Sequence, residues 1–298
     1  MAHGLALALC AATFVLILVG GLVTNTGAAL AVPDWPTTFG YNMFLFPWSK
    51  MVGGILYEHS HRLLGAAVGV LTIALAASLW IGEPRRWLRW LGVAALVAVS
   101  LQGVLGGLRV LLAEGGIAII HGSLAQGFFG LAVCLALFTS PGWATAPAEA
   151  ADALPLRRLS LLTTGVAYLQ IVFGAFLTHF GARLDGHLAG AAALALLIPL
   201  LFVRVLRETG DRPELVRPAR ALLGLLLLQL LLGAGAYAGR FTDLVPPPYL
   251  GLAIPVIHRL TGGLLLAASL VLTLRCHRLL SRPEARMAGG VFSREAAA

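Results

Sequence analysis

Eight stretches of the chain are apolar for long enough to cross a bilayer, near residues 5–24, 59–80, 87–108, 117–139, 157–178, 186–203, 219–238 and 253–274. A hydrocarbon core needs about 20 consecutive apolar residues per helical crossing. Each run approaches or exceeds that length almost without charge, and most of the charged residues fall in the connections. The pattern predicts an all-α integral membrane protein with eight transmembrane helices.

Composition supports this: 59% of the 298 residues are hydrophobic, 11% are charged, and the mean hydropathy is +0.89. Soluble globular domains lie far from these values. The first run is followed by the small residues Gly27, Ala28 and Ala29, as a secretory signal would be. No Lys or Arg precedes it, however, and it exceeds a typical signal core, so it is read as a retained helix. Cys10, Cys134 and Cys276 are too scattered to predict a disulfide or a metal cluster.

A net charge of +8 would suit nucleic acid if it formed one patch. Instead, residues 81–90, 140–158, 204–220 and 275–298 hold 15 of the 21 Lys and Arg, while the alternate connections hold only Lys50, Arg109, Arg183 and Arg240. Arg62 and Arg259 fall inside helices 2 and 8. The positive-inside rule predicts both termini in the cytoplasm, and a nucleic-acid partner is not expected.

The Pro- and Ala-containing segment at residues 141–156 divides the chain into an N-terminal four-helix bundle, residues 1–140, and a C-terminal one, residues 157–298. The halves share a motif. Gln102-x-x-x-Gly106-Gly107, Gln170-x-x-x-Gly174-Ala175 and Gln229-x-x-x-Gly233-Ala234 mark helices 3, 5 and 7, and helix 1 keeps Gly20-Gly21. Small residues let helices approach closely in lipid, and Gln can bond across the interface. Close helix packing is the favoured reading of the motif; a flat ligand against the glycine face is the other. A repeated, pseudo-symmetric pair of four-helix bundles is the implied architecture. The longest external segment, residues 25–57, carries Trp35, Phe39, Tyr41, Phe44, Phe46 and Trp48. Such aromatics suit an interfacial anchor, or a lid over a lipophilic substrate.

His61, His121, His187 and His258 stand in or beside the first turns of helices 2, 4, 6 and 8. All four helices enter from the external side, so these imidazoles share one depth. Polar side chains there usually face a bundle interior. A heme iron takes two axial imidazoles, which pairs His61 with His121 and His187 with His258. Hydrogen bonding to a neighbouring helix would explain any one of them, but four in register favour ligation. Zinc fits less well, because a catalytic zinc recruits about three protein ligands to one site.

Arg62 and Arg259 each follow a candidate ligand, in His61-Arg62-Leu-Leu-Gly65 and His258-Arg259-Leu-Thr-Gly262. A guanidinium at this level pairs equally well with a heme propionate or a lipid phosphate. Glu58 precedes His61 by three residues, on the same face if helix 2 has begun. No second Glu occupies the matching place before His121, His187 or His258. Taken alone, Glu58 reads as a solvated carboxylate at a helix start. His3 and His277 lie at cytoplasmic ends, and His59 and His179 at the outer surface as rivals to the assigned ligands.

Together, Glu58-x-x-His61-Arg62, the later histidines on helices 4, 6 and 8, and the loop Val32-Pro33-Asp34-Trp35-Pro36 resemble heme A synthase over nearly the whole chain. The resemblance implies an oxidoreductase of the cell inner (plasma) membrane that converts the C8 methyl of heme O to the formyl of heme A for cytochrome oxidase assembly. Two successive hydroxylations would give a hydrate that loses water. It implies heme O between His61 and His121 with Glu58 catalytic beside them, and a resident heme b between His187 and His258. Heme O synthase, a quinone acceptor and a second copy of the chain are the partners it suggests, besides membrane lipid. Many members place a cysteine pair where this chain has Val32 and Thr38, so a thiol mechanism is not expected.

Two other functions use the same residues differently. A non-catalytic diheme cytochrome, passing electrons from quinol, would keep both sites permanently filled and give Glu58 no task. A transporter would show matching broken helices in both halves, and Pro199 in helix 6 has no counterpart in helix 2. Phosphate-binding loops, Cys-x-x-Cys-His attachment and dinucleotide fingerprints do not occur.

Overall fold

A computed structural model describes residues 1–143 and 153–280. Most of the connector expected at residues 141–156, namely 144–152, lies outside the described residues, as do Arg282, Arg286 and Arg294. Among the described residues there are eight membrane-length helices and no named β-strand. They are α1 (Ala2–Asn25), α2 (Gly54–Gly82), α3 (Arg86–Leu112), α4 (Gly115–Thr139), α5 (Leu154–Phe180), α6 (Leu184–Thr209), α7 (Pro213–Phe241) and α8 (Pro248–Leu279).

Every apolar run falls inside one of these helices, and most helices extend past their run at both ends. The backbone stays helical on leaving the hydrocarbon, where polar residues cost less, so hydropathy underestimates helix length. Proline at the first positions of α5, α7 and α8 starts those helices where its missing N–H has no intrahelical partner. Left-handed residues end or begin others, Ala113 between α3 and α4 and Gly181 and Arg183 between α5 and α6. The latter two turns are only a few residues long. The α1–α2 connection, residues 26–53, is far longer and contains two 3-10 turns, Met43–Leu45 and Trp48–Lys50. α6 passes Pro199 without interruption.

Helix α1 packs on α2 and α4, and α3 packs on the same two; α5 packs on α6 and α8, and so does α7. The two groups meet along a seam where α4 touches α5 and α8, and α1 touches α8. Small residues notch this seam: Val256 fits against Gly21, Leu270 against Gly130 and Phe180 against Gly115. Tyr168 donates its hydroxyl to the Ser123 carbonyl across it (3.3 Å).

The buried cores sit at one end of the bundles. In the first, Ala6, Leu9, Val68, Leu75, Leu79, Leu88, Ala95, Phe128, Ala132 and Leu135 pack together. In the second, the cluster runs through Leu156, Leu194, Ile198, Leu201, Val205, Leu215, Leu222, Leu226 and Leu272. In α2, α4 and α6 the first of these core residues lies seven residues beyond the histidine, and in α8 a buried core leucine, Leu265, stands at the same offset. Near the histidines the burial is mixed: Glu58, His59, Ile119, Ser123, Val256 and Thr261 are buried, and the four histidines themselves are partly buried.

Candidate heme-binding and external-loop site

Each of the four histidines lies against a glycine of the preceding helix. A Cβ added to Gly20, Gly106, Gly174 or Gly233 would stand 3.0, 3.4, 3.2 and 3.2 Å from Cε1 of His61, His121, His187 and His258, respectively. The small residue of the repeated motif is therefore a seat for an imidazole, which makes the close-packing reading specific.

The glutamines of the motif reach the same histidines. Gln102 lies 2.9 Å from His121 Nδ1, Gln170 Nε2 donates to the His187 carbonyl (2.8 Å), and Gln229 Nε2 is 3.3 Å from His258 Nε2. Partners of this kind orient a ligating imidazole.

His187 and His258 face each other with ring centroids 6.2 Å apart, tilted by 69°. A metal bonded to one nitrogen of each ring at about 2 Å places the ring centres roughly 6 Å apart. Nδ1 of His61, His187 and His258 is buried and makes no hydrogen bond of good geometry; the backbone of Leu16, Gln170 and Gln229, one turn before each seating glycine, stands beside those rings. Two facing imidazoles at that spacing suit a bis-imidazole heme. His61 and His121 are electrostatic neighbours, and Arg109 at the end of α3 lies close to both.

Glu58 and His59 depart from their sequence expectations. Glu58 is 4% exposed, in the second turn of a helix that began at Gly54, so it is a buried group and not a solvated one. Its Oε2 accepts the Val32 N–H (2.9 Å) and its Oε1 accepts from Arg62 Nη2 (2.9 Å). Arg62 also donates to the carbonyls of Val32 (2.8 Å), Asp34 (2.7 Å) and Thr37 (2.9 Å). The guanidinium is thus directed at the external loop.

His59, placed at the outer surface by sequence, is 1% exposed because that loop folds over it. Its Nδ1 pairs with the Thr38 hydroxyl (3.1 Å), and its ring packs on Phe46 at 5.0 Å. Val32 and Thr38, which stand where relatives carry cysteines, are both fully buried.

The loop is organised on its own side by Asp34. This carboxylate accepts the N–H of Phe39 (2.7 Å) and of Gly40 (2.9 Å) and the Thr37 hydroxyl. Desolvation pushes the Asp34 carboxyl up, but these bonds outweigh it and hold it down to about 2. Trp35 reaches α3, where its indole fills the space a side chain at Gly107 would need. Phe44, Leu45 and Trp48 remain exposed, as an interfacial anchor requires.

At the seam, Arg259 Nη1 reaches Thr24 Oγ1 at 3.5 Å and has Arg109 as a neighbour; His179 lies near both arginines and His121. Among the described residues, neither arginine joins an ion pair at hydrogen-bond range. Sequence reasoning passed over Arg109, which the packing of α3 on α2 and α4 brings to His61 and His121. His3 and His277 pair with backbone carbonyls, of Ala136 (3.1 Å) and Thr273 (2.9 Å).

Eight membrane-length helices, with imidazoles of four of them seated on glycines of the preceding helices, define a multi-pass membrane protein with paired histidines between its helices. Residues 3–186, more than half of the chain, match the COX15-CtaA family of cytochrome oxidase assembly proteins, and the chain belongs to that family.

Among its relatives is a heme A synthase of Bacillus pumilus, 27% identical over 179 residues, 56% of each chain. A second heme A synthase, of Alkalihalophilus pseudofirmus, is 33% identical over 94 residues, 31% of this chain and 30% of the relative. A protoheme IX farnesyltransferase of Haloarcula marismortui is 30% identical over 127 residues, 43% of this chain and 26% of that one. The chain thus matches about half the length of the first synthase and less of the others. The family match includes Glu58, His61 and His121 and stops just before His187.

Proposed function

We propose that the protein is a heme A synthase that oxidises the C8 methyl of heme O to a formyl group, in support of cytochrome oxidase assembly. The observation that carries this reading is the fourfold imidazole-on-glycine seat above two packed cores, in a chain of this family. The N-terminal bundle, residues 1–140, receives heme O between His61 and His121. The C-terminal bundle, residues 157–298, holds heme b between His187 and His258, and residues 141–156 connect them. The two bundles are read as a pseudo-symmetric pair.

A bound heme b supplies electron transfer between the substrate and an acceptor such as a quinone. The chain's own residues bind and orient. Glycine seats, with Gln102 and Gln229 beside two of the rings, orient the imidazoles, Gln170 ties the His187 backbone, and the cores below fix their depth. Arg109 and Arg259 supply the cations that receive heme carboxylates at the outer face. Glu58 and Arg62 hold the loop beside the N-terminal site. A relative named for protoheme farnesylation supports a supply of substrate by a farnesyl-transferring enzyme. The placement of Lys and Arg supports cytoplasmic termini, and residence in the plasma membrane rests on the family alone.

Expression in a host that accumulates heme O, followed by heme extraction, tests the proposal. Appearance of heme A only when the chain is present is the expected result. Unchanged heme O beside two filled heme sites would replace the enzyme with a diheme cytochrome.

A further inference from the structure

The external loop is bound to α2 by an unusual convergence. Three carbonyls, from Val32, Asp34 and Thr37, turn onto one guanidinium, and the Val32 N–H turns onto the carboxylate paired with it. Thr38 adds its bond to His59 at the other edge. Breaking a buried ion pair by removing one partner leaves the other charge uncompensated, the costliest way to lose such a contact. Both Glu58 oxygens are engaged, one by the loop and one by Arg62, while the His61 ring on the same helix turns to Gly20 of α1. What this clamp delivers to the histidines is Trp35. Its indole seats on Gly107, and the adjacent Gly106 seats His121.

We propose that Glu58 is a positioning residue: with Arg62 it latches residues 32–38 onto the outer end of α2, and the latched loop sets Trp35 on Gly107 as the outer wall of the His61–His121 site. This rests on reading that site as the one that takes heme O. The latch does by charge what a covalent bridge between positions 32 and 38 would do, and it can open without any redox chemistry. A bulky planar substrate therefore enters and leaves by release of the loop. Indole contact with α3 orients the macrocycle edge next to His121.

The chain offers a clean test, because Lys50 is its only lysine and lies in the same external segment, where its Nζ donates to the Tyr41 hydroxyl. A lysine-specific protease acting on the full chain in membranes reads release of the segment at one bond, Lys50–Met51, where Lys50 is exposed and Met51 is buried. Glu58→Ala and Arg62→Ala are each expected to speed this cut roughly tenfold and to lose heme A formation in step. Glu58→Gln, keeping an oxygen for Val32 but not the charge for Arg62, falls between wild type and Glu58→Ala on both readouts.

Trp35→Ala leaves the Lys50 cut at its wild-type rate, yet lowers conversion and shifts the absorption spectrum of the heme bound between His61 and His121. Retention of the heme held by His187 and His258 shows that each variant is folded. Loss of conversion in Glu58→Gln with Lys50 as protected as in wild type would overturn the latch and return Glu58 to the chemistry. So would an unshifted spectrum and full conversion in Trp35→Ala. If wild type makes no heme A, the function falls, while the protease cut and the spectrum still decide the latch.

Discussion

The two bundles hold their histidines alike and differ in what stands outside them. In the C-terminal bundle, α5 and α6 are joined by three residues, α7 and α8 by six, and the imidazole pair faces itself at 6.2 Å. In the N-terminal bundle a connection of 28 residues folds back over α2, is gripped by Glu58 and Arg62, and lays an indole on α3. Short connections suit a site filled once and kept. A long, separately fastened connection suits a site that must admit and release its occupant. On the proposed assignment, the difference between a resident group and a passing one lies in the loops, not in the ligands.

The largest effect that would break this contrast comes from the ligands themselves. His121→Ala is expected to abolish heme A formation and leave the C-terminal pigment in place, whereas His258→Ala removes that pigment; heme content and absorption spectra of purified variants check both. A swapped result would reverse the assignment of the two bundles.

Next come the seats. Gly174→Val forces branched carbons against an imidazole whose Cε1 is already 3.2 Å from an added Cβ. Overpacking of this kind costs about 1–3 kcal/mol, so retention of the C-terminal heme falls roughly tenfold. Gly103→Val, at a position with open space around it, leaves heme content unchanged. Gln229→Leu, which removes the amide beside His258, weakens heme binding by about tenfold or more, read by titration of the heme-depleted protein.

The smallest effect is a pH dependence confined to the N-terminal loop. Asp34 is lowered from 3.8 to about 2 in the folded loop, so its ionised form is favoured by folding. Its contribution is complete above the ordinary carboxyl value and is lost as pH falls through about 2. Protection of the Phe39 and Gly40 amides against hydrogen exchange, corrected for intrinsic rates, is expected to hold down to about pH 4 and to vanish below about 2. Asp34→Asn abolishes that dependence; an unchanged profile would show that these amides are protected by something else.

The membrane spans were legible because lipid imposes a length and an absence of charge that few other structures satisfy. The histidine register was legible for a related reason, since a polar ring at a fixed depth in four helices stands out against leucine. The Gln-x-x-x-Gly repeat was visible, but its object was not. Which side chain fills a glycine notch depends on helix rotation, and hydropathy does not fix rotation.

The loop clamp left almost no signal. Glu58 and Arg62 are spaced i, i+4, as a surface pair would be, and the carbonyls that bury them belong to backbone, which has no letter in a sequence. Arg109 and His179 became neighbours only through the seam between bundles.

That seam has a consequence for biogenesis. The last helix supplies much of it, touching α1 and α4 as well as its own bundle. During translation α1 to α4 are complete well before α8 leaves the ribosome. Until then Gly21 and Gly130, the notches that Val256 and Leu270 later fill, face acyl chains. The first half thus waits for the final helix to complete its boundary, and a nascent chain stalled before α8 would carry an N-terminal bundle with one side still lipid-washed.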